Sequence, residues 1–390
     1  MKKHPYYSPF RCLPFRYAWR AFLGVALVFA VLGLTSQNAR GDDSPSLAQP
    51  VRVMQQNLYV GADIFEVVQA AQTDPNTVPL AVLNIYQDII ATDFHVRAEA
   101  LAEEIQANMP DLISLQEVST ITVFYPGFEN FDYLQILLAA LADKNLDYYV
   151  AGIVDDANVT LPMYAPGVPG NLVYAQLLDH DVILARQSNV VTGNEAHGNY
   201  TSTYSFTTPL GTVYFKRGWV AVDATVRGKT YRFVNTHLEV RGGSYQAEQA
   251  SELINLLKGE TLPIILQGDI NSSPQDTALV RINKRPYLLL PPYWQFVLAG
   301  YADVWPLRIL GRSNPGYTCC QEPDLLNETS ELTERIDMIF VHNTLGRVPL
   351  SFVGPVFAWT IGDTPEDKIS NLLPSDHAGV IGHLRIPQLH

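Results

Sequence analysis

Short apolar runs recur along the chain, and six of them end in a cluster of polar residues. Runs of roughly four to eight apolar residues between polar turns are typical of buried strands. Because the ends of neighbouring strands meet at one edge of a sheet, we expect the clusters to share one pocket. The clusters are Gln56-Asn57, Gln116-Glu117, Asn235-Thr236-His237, Gly268-Asp269-Ile270-Asn271, Arg335-Ile336-Asp337 and Ser375-Asp376-His377.

A strand, a helix and a second strand follow one another twice. The strand-like runs cover residues 51–55 and 112–115 in the first unit, and residues 231–234 and 264–266 in the second. The helical faces are formed by Phe94, Ala98, Leu101 and Ile105, and by Ala247, Ala250, Ile254 and Leu257. Both units deliver an acid after their second strand, so the pattern predicts two packed sheets with helices outside.

Further strands are predicted at residues 182–185, 219–226, 338–341 and 380–386. Residues 151–170 and 187–216 are rich in Tyr, Thr, Gly, Pro and Asn without clear periodicity, so we interpret them as loops that border the site or carry short hairpins. With 47% hydrophobic residues, the chain can bury one large core. We therefore expect a single domain over residues 51–390.

The N-terminal segment has the pattern of an export signal. Five basic residues precede a run without charge at residues 21–34, which is shorter than the roughly 20 residues that a membrane-spanning helix needs. We interpret residues 1–39 as a signal peptide and residues 40–50 as a linker, with an uncleaved membrane anchor as the alternative. The protein is then secreted or periplasmic.

Charge and cysteine content narrow the function classes. The net charge is -13, and because five positive residues lie in the leader, the exported part carries about -18. Bulk attraction to polyanions is therefore excluded, although contact with a phosphate through a cation is not. Cys12 lies in the leader, which leaves Cys319 and Cys320 to form a vicinal disulfide, to pair between chains or to stay reduced.

The polar clusters contain the groups for metal-assisted attack on a phosphate ester. Glu117 follows a Leu- and Ile-rich strand, and its carboxylate suits Mg²⁺ or Mn²⁺, with the amide oxygen of Asn57 as a second ligand. His377 could accept a proton from an attacking water if Asp337 fixes its tautomer. Taken singly, these residues are equally typical of a rim glutamate, a turn asparagine and a surface Asp-His turn.

Two further clusters could contact the phosphate. His237 ends a buried strand and could donate to a non-bridging oxygen, whose negative charge grows in the transition state. Asp269 and Asn271 share one turn, so the carboxylate could manage a proton or the ion while the amide holds phosphate or water. The alternative for this turn is a purely geometric role.

The six clusters, complete and in order, resemble the motifs of the endonuclease/exonuclease/phosphatase superfamily, which includes the DNase I-like enzymes. The resemblance covers residues 51–386 and implies a four-layer α/β sandwich with two packed, mainly antiparallel sheets flanked by helices. It implies Mg²⁺ held by Glu117 with Asn57 and Asp376 nearby, and catalysis by His237, Asp269, Asn271, Asp337 and His377. Whether Asp269 or His377 is the working base stays open.

The resemblance implies an exported phosphodiesterase. We expect a phospholipid or sphingomyelin-type or small-molecule substrate, since the acidic chain lacks basic loops to grip DNA. A secreted DNase I-like endonuclease and a non-catalytic binding protein on the same fold are the alternatives, and no protein partner is inferred. Arg186, Arg217 and Arg241 are candidate phosphate contacts. Residues 288–294 either insert into a lipid interface or pack under a loop.

Overall fold

The structure is a computed structural model that describes residues 50–165, 170–208, 211–240, 244–282, 287–311, 313–343 and 356–386. The predicted leader, the linker up to residue 49, and Arg241 lie outside the described residues. Within the described part of the chain, no helix is both long and apolar enough to cross a membrane.

Strands dominate the fold, with helices between them. The strands are β1 (Val51–Asn57), β2 (Leu112–Gln116), β3 (Thr120–Val123), β4 (Phe131–Asp132), β5 (Tyr148–Tyr164), β6 (Leu172–Arg186), β7 (Val190–Asn199), β8 (Tyr204–Thr208), β9 (Gly211–Phe215), β10 (Gly218–Val226), β11 (Lys229–His237), β12 (Ile264–Asp269), β13 (Val280–Arg281), β14 (Leu288–Leu289), β15 (Ala302–Asp303), β16 (Asp337–His342), β17 (Phe357–Ile361) and β18 (Gly379–Leu384). The α-helices are α1 (Glu66–Thr73), α2 (Val78–Ala91), α3 (Phe94–Asn108), α4 (Tyr133–Asp143), α5 (Ser244–Leu256), α6 (Pro292–Leu298) and α7 (Val304–Leu307).

Two large sheets carry the fold. The first has the strand order β17-β18-β1-β2-β6-β3-β4, with β5 paired to β6, and the second has the order β15-β16-β12-β11-β10-β7. Most pairs are antiparallel, and the exceptions are β1 with β2 and β11 with β12. These two parallel pairs are the predicted strand-helix-strand units, because a helix-containing crossover is needed to make neighbouring strands parallel.

Apolar side chains form the core in three clusters. Between the sheets, Val53 and Ile183 of the first pack with Val222, Phe233 and Ile339 of the second. A second cluster joins α1 to α4 to the outer face of the first sheet, and a third joins α5 and α6 to the outer face of the second. The four-layer α/β sandwich with two mainly antiparallel sheets is therefore confirmed.

The interpretation of residues 151–170 as loops was wrong. Residues 151–164 lie in β5, which forms a long hairpin with β6 and whose pairing shifts register between Asp155 and Asn158. Before this bulge the buried positions include Val154 and Asp156, and after it they include Ala157 and Val159. A bulge that reverses the inward phase removes the regular alternation from which a strand is predicted. The segment 187–216 contains β7 and the short hairpin of β8 and β9, so the hairpin alternative is confirmed there.

Residues 288–294 form the short strand β14 and the start of α6. Tyr293 is buried, lies beside Phe340 and donates a hydrogen bond from its hydroxyl to Asp303. Leu288 is exposed. Tyr293 is therefore packed inside the protein and cannot reach a lipid interface from this position.

Candidate active site

Strand pairing places the polar clusters side by side. In the first sheet, Asn57 of β1 lies opposite Gln116, which directly precedes Glu117. In the second sheet, Asp269 of β12 lies between His237 of β11 and Asp337 of β16. Because the two sheets pack face to face, the ends of these strands meet at one edge of the sandwich.

The predicted residues from both sheets are in contact. The Asn57 amide nitrogen lies 3.1 Å from Oε1 of Glu117 and 3.2 Å from Oδ2 of Asp269. The same Asp269 oxygen lies 3.6 Å from Nε2 of His237 and 3.9 Å from Nε2 of His377. Residues distant in sequence thus surround one carboxylate.

The backbone at the strand ends is closely packed and partly in the left-handed region. Gly268 precedes Asp269, and a Cβ at this position would lie 1.9 Å from the carbonyl oxygen of Thr236, so only glycine allows the two strands to approach this closely. Glu117 and Asn271 have φ angles of 55° and 48° in the left-handed region. Such backbone conformations cluster at functional sites.

His377 and Asp337 form a buried dyad. Nδ1 of His377 lies 2.8 Å from Oδ2 of Asp337, and the amide of Gln55 donates to the other carboxylate oxygen at 2.7 Å. Burial disfavours the charged form of His377, but Asp337, Asp376 and Asp269 outweigh this effect and raise its pKa well above the usual range. The imidazole therefore has a fixed orientation, with Nε2 facing Asp269.

His237 is held as a neutral donor. A guanidinium nitrogen of Arg217 donates to Nδ1 of His237 at 2.8 Å, which places the ring proton on Nε2, towards Asp269. Burial, the Arg217 charge and His377 lower the pKa of His237 well below its usual range. Of the predicted phosphate-binding arginines that the structure describes, Arg217 is the one at the site, and it also lies 3.8 Å from Asp179.

Asp269 accepts hydrogen bonds on both oxygens. The backbone N–H of Asn271 donates to Oδ1 at 2.9 Å, while the Asn271 amide donates to the carbonyl of Leu238 at 2.9 Å. Burial and the Asp337 charge raise the pKa of Asp269 to about 7, although His377 opposes this shift. The Asn271 side chain thus links the turn after β12 to the end of β11, and its catalytic role stays a prediction.

The chemistry of Glu117 and Asp376 is compatible with a divalent cation. Glu117 is half-buried and accepts from the backbone N–H of Val60 at 2.9 Å as well as from Asn57. Oδ1 of Asp376 is buried without a hydrogen-bond partner. Burial raises the pKa of Asp376 to about 7, with Glu117 adding to the shift against His377. A cation would supply the partner that this oxygen lacks.

A second acidic group lies at the same edge. Carboxylate oxygens of Asp269 and Asp337 and a ring nitrogen of His377 lie within 4.8 Å of one another and could also hold a metal ion. The short His377–Asp337 hydrogen bond already uses two of these groups. The amide oxygen of Asn57 likewise accepts from the backbone N–H of Tyr59 at 2.9 Å, so the ligand set Asn57, Glu117 and Asp376 stays a prediction from the resemblance.

The segment around Cys319 and Cys320 packs directly against the catalytic strand end. The backbone N–H of Gln321 donates to the carbonyl of Asp376 at 2.8 Å, and that of Ala378 to the carbonyl of Thr318 at 2.9 Å. The two cysteines form a vicinal disulfide. Sγ of Cys320 lies 4.0 Å from Nε2 of His377, so this loop forms one wall of the site.

The predicted substrate contact of Arg186 is contradicted by its position. Arg186 ends β6, which runs antiparallel to β2, so it lies beside Asp111 at the opposite edge from Glu117. Its guanidinium is 2.8 Å from Asp111, which also binds Arg227 at 2.9 Å. Arg186 therefore forms a structural ion pair with Asp111 and does not contact the site. The placement of Arg241 lies outside the described residues.

Several contributing residues were missed from the sequence. Arg97 is fully buried and donates to the carbonyls of Leu58, Tyr59 and Pro374, which connects α3 to the loops beside Glu117 and Asp376. Asp179 was missed too. The signal for Asp179 was available, because three charged or titratable residues, Asp179-His180-Asp181, directly precede a buried apolar run.

The family assignment follows from a match to known sequences. A family model described as the endonuclease/exonuclease/phosphatase family matches residues 81–377. This chain belongs to that family. Members are hydrolases of phosphoester bonds and typically use a divalent metal ion. A search among curated proteins finds no match.

Solved structures of this family share the fold. An endonuclease/exonuclease/phosphatase from Beutenbergia cavernae is 20% identical, with a TM-score of 0.50, over 87% of this chain and 72% of that one. A mannosyl-6-phosphatase from Bacteroides thetaiotaomicron is 16% identical, with a TM-score of 0.47, over 86% of this chain and 100% of that one. Another family member from that organism is 19% identical, with a TM-score of 0.47, over 87% and 100%. At such identities the likeness concerns the fold alone.

Proposed function

We propose that this family member is an exported, Mg²⁺-dependent phosphodiesterase in which protein groups activate a water for in-line attack on phosphorus. The observation that carries the proposal is the buried His377–Asp337 dyad, whose free ring nitrogen faces Asp269 beside the Glu117 carboxylate. A dyad of this kind fixes the imidazole tautomer for proton transfer.

In this proposal, Glu117 with Asn57 and Asp376 holds Mg²⁺, with Mn²⁺ as a substitute. The bound cation would neutralise phosphate charge and favour attack by water. In its neutral form, His377 accepts the proton of the attacking water, because Asp337 keeps the ring proton on Nδ1 and leaves Nε2 as the acceptor. Since the surrounding carboxylates raise the pKa of His377, the population of this neutral form grows as the pH rises. Asp269 is the alternative base, since one of its oxygens lies within 4 Å of both imidazoles.

His237 and Arg217 serve the phosphate. His237 presents an N–H from Nε2, and Arg217 holds that tautomer while contributing positive charge at an otherwise acidic edge. Preorganised donors of this type stabilise charge that develops on phosphoryl oxygens in the transition state. The retention of every one of these groups argues against a non-catalytic binding protein.

Export is proposed from the leader, whose basic residues and uncharged run precede the enzyme domain. A lipid or small-molecule substrate is proposed over nucleic acid because the exported part is acidic. A peripheral membrane contact near residue 288 would depend on exposed Leu288, since Tyr293 is buried.

Hydrolysis of bis-p-nitrophenyl phosphate tests this proposal. We expect Mg²⁺-dependent release of p-nitrophenol that EDTA abolishes and that Glu117→Gln reduces by roughly 10²-fold or more. Glu103→Gln, on the exposed face of α3, is the matched control and should retain activity. Absence of turnover on any phosphoester would support a binding protein, and rapid nicking of plasmid DNA at physiological salt would support an endonuclease.

A further inference from the structure

An apolar cavity of about 70 Å³ lies between α2 and the β5–β6 hairpin. A single water needs roughly 10–15 Å³ of such space, and this cavity is partly open to solvent, so a ligand can enter it from outside. Aliphatic side chains form most of its wall, including those of Val82, Ile85 and Leu161. It therefore has space for several carbon atoms and an apolar lining.

The polar groups in the wall are already engaged elsewhere. The Tyr86 hydroxyl donates to the carbonyl of Glu129 at 3.0 Å, and the Gln176 amide donates to the side chain of Asn158 at 3.0 Å. Water in this partly open cavity would find few hydrogen-bond partners in the wall, so its displacement by an apolar group is favourable.

The cavity shares a wall with a pocket beside Glu117 and Arg217. A smaller pocket of about 20 Å³ is lined by Glu117 and Arg217 at the site described above. Ile64, Leu177 and Phe215 line both spaces. These three apolar side chains border both spaces, so the apolar cavity adjoins the pocket at Glu117 and Arg217.

The chain connections reinforce this adjacency. Phe215 stands two residues before Arg217, which binds His237. Ile64 follows the loop in which the backbone N–H of Val60 donates to Glu117. The segments that shape the cavity wall are therefore the same segments that position the catalytic groups.

We propose that the cavity holds an aliphatic chain of the substrate, so that the enzyme prefers amphiphilic phosphodiesters with an alkyl or acyl tail. The proposal rests on the phosphodiesterase function above and adds its substrate class. In this arrangement the phosphate of the substrate binds at Glu117, and its aliphatic chain extends past Phe215 into the cavity. The chain could belong to a lipid or to a free alkyl ester, since the chemistry that the cavity recognises is the same.

A series of chromogenic esters tests the preference. Methyl, butyl and octyl p-nitrophenyl phosphates carry the same leaving group and differ in chain length alone, and they are used below the concentration at which they aggregate. We expect kcat/KM to rise by up to roughly fourfold for each methylene that enters the cavity, and then to reach a plateau. The measured quantity is the octyl to methyl ratio of kcat/KM.

Two variants change the cavity, and one leaves it intact. Ala175→Phe fills the space and should bring the octyl to methyl ratio close to one, whereas Ile85→Ala enlarges it and should move the plateau to longer chains. Thr160→Phe is the matched control, because Thr160 lies exposed on the other face of β5 and should keep the parent ratio. If Ala175→Phe does not fold, Ile85→Ala tests the same point.

The outcomes separate this inference from the proposed function. Turnover of the methyl ester with a ratio near one in the parent enzyme would overturn the inference and leave the phosphodiesterase function standing. A chain-length effect that survives Ala175→Phe and is unmoved by Ile85→Ala would also overturn it. Failure to hydrolyse any of the three esters with Mg²⁺ present would overturn both proposals.

Discussion

At the scale of single residues, neighbouring side chains fix the orientation of the reactive groups in the site. Gln55 orients Asp337, Asp337 orients His377, and Arg217 orients His237, all through buried hydrogen bonds of 2.7 to 2.8 Å. Each of these contacts selects one tautomer or rotamer before substrate arrives. Preorganisation of this kind lowers the reorganisation needed during the reaction.

Replacing Asp337 with Asn tests this orienting role. Asp337→Asn keeps the size of the side chain but can donate to Nδ1 of His377, which would move the ring proton to Nε2. We expect kcat on bis-p-nitrophenyl phosphate to fall by roughly 10²- to 10⁴-fold. Asp143→Asn, at the exposed end of α4, is the control and should keep full activity. A fall of less than about threefold in Asp337→Asn would contradict the dyad.

Site residues could be predicted from the sequence only where the end of the neighbouring strand was also predicted. Asp337 and His377 were found because each adjoins a short apolar run, and the structure brings them together. Arg186 was misplaced because a sequence shows where a strand ends but not which edge of the sheet that end occupies. Its strand runs antiparallel to β2, which takes it away from Glu117.

At the scale of elements, regular spacing decided which segments could be predicted. The units around α3 and α5 were predicted since their apolar faces and strands follow uninterrupted periods. Helix α2 carries Pro79 in its first turn, where proline is compatible with a helix. The β5–β6 hairpin was missed because its bulge reverses the alternation.

The close contact between β10 and β5 gives an element-scale prediction. A Cβ at Gly218 would lie 2.7 Å from Oδ1 of Asp156 and 2.9 Å from Cγ2 of Val154, both buried. Gly218→Ala should therefore lower the free energy of unfolding by about 1–3 kcal/mol, as overpacking does. Urea denaturation followed by circular dichroism measures the change.

Gly193→Ala on the neighbouring strand β7 is the matched control for Gly218→Ala. Nothing lies within 4 Å of a Cβ built at Gly193, so its effect on unfolding should stay within about 0.5 kcal/mol. Equal effects of the two substitutions would show that strand propensity, and not the contact between β10 and β5, sets the stability at Gly218.

At the scale of the whole molecule, two sheets meet through buried polar groups as well as through an apolar core. The amide of Gln116 donates to Asn235 at 2.6 Å, and the amide of Asn235 donates to the carbonyls of Leu115 and Val182. These contacts cross from one sheet to the other just below the catalytic edge. They fix the register of the two sheets, and with it the distance between Glu117 and the dyad.

A buried pair of carboxyl groups between the sheets predicts how stability depends on pH. Asp156 and Asp181 are each at most 2% exposed. Burial raises the pKa of both well above the usual range, and Asp179 adds to both shifts while Arg217 opposes them. Asp156 raises the pKa of Asp181 further, whereas Asp181 lowers that of Asp156. The folded pair therefore keeps a proton, on Asp181, that the unfolded chain releases above about pH 4. Since the folded state then binds more protons than the unfolded state, stability falls as pH rises from about 4 towards the folded pKa.

Asp181→Asn tests this dependence because an amide can replace the protonated acid and does not titrate. The free energy of unfolding, from urea titrations between about pH 4 and about pH 8, should shift in favour of the variant by up to about 1.4 kcal/mol per pH unit. The difference in unfolding free energy between variant and parent becomes constant above the pKa of the carboxyl pair in the folded protein. Asp143→Asn at the surface controls for the loss of one charge and should track the parent. A difference between Asp181→Asn and the parent that stays constant across this range would show that the pair is ionised in the folded protein.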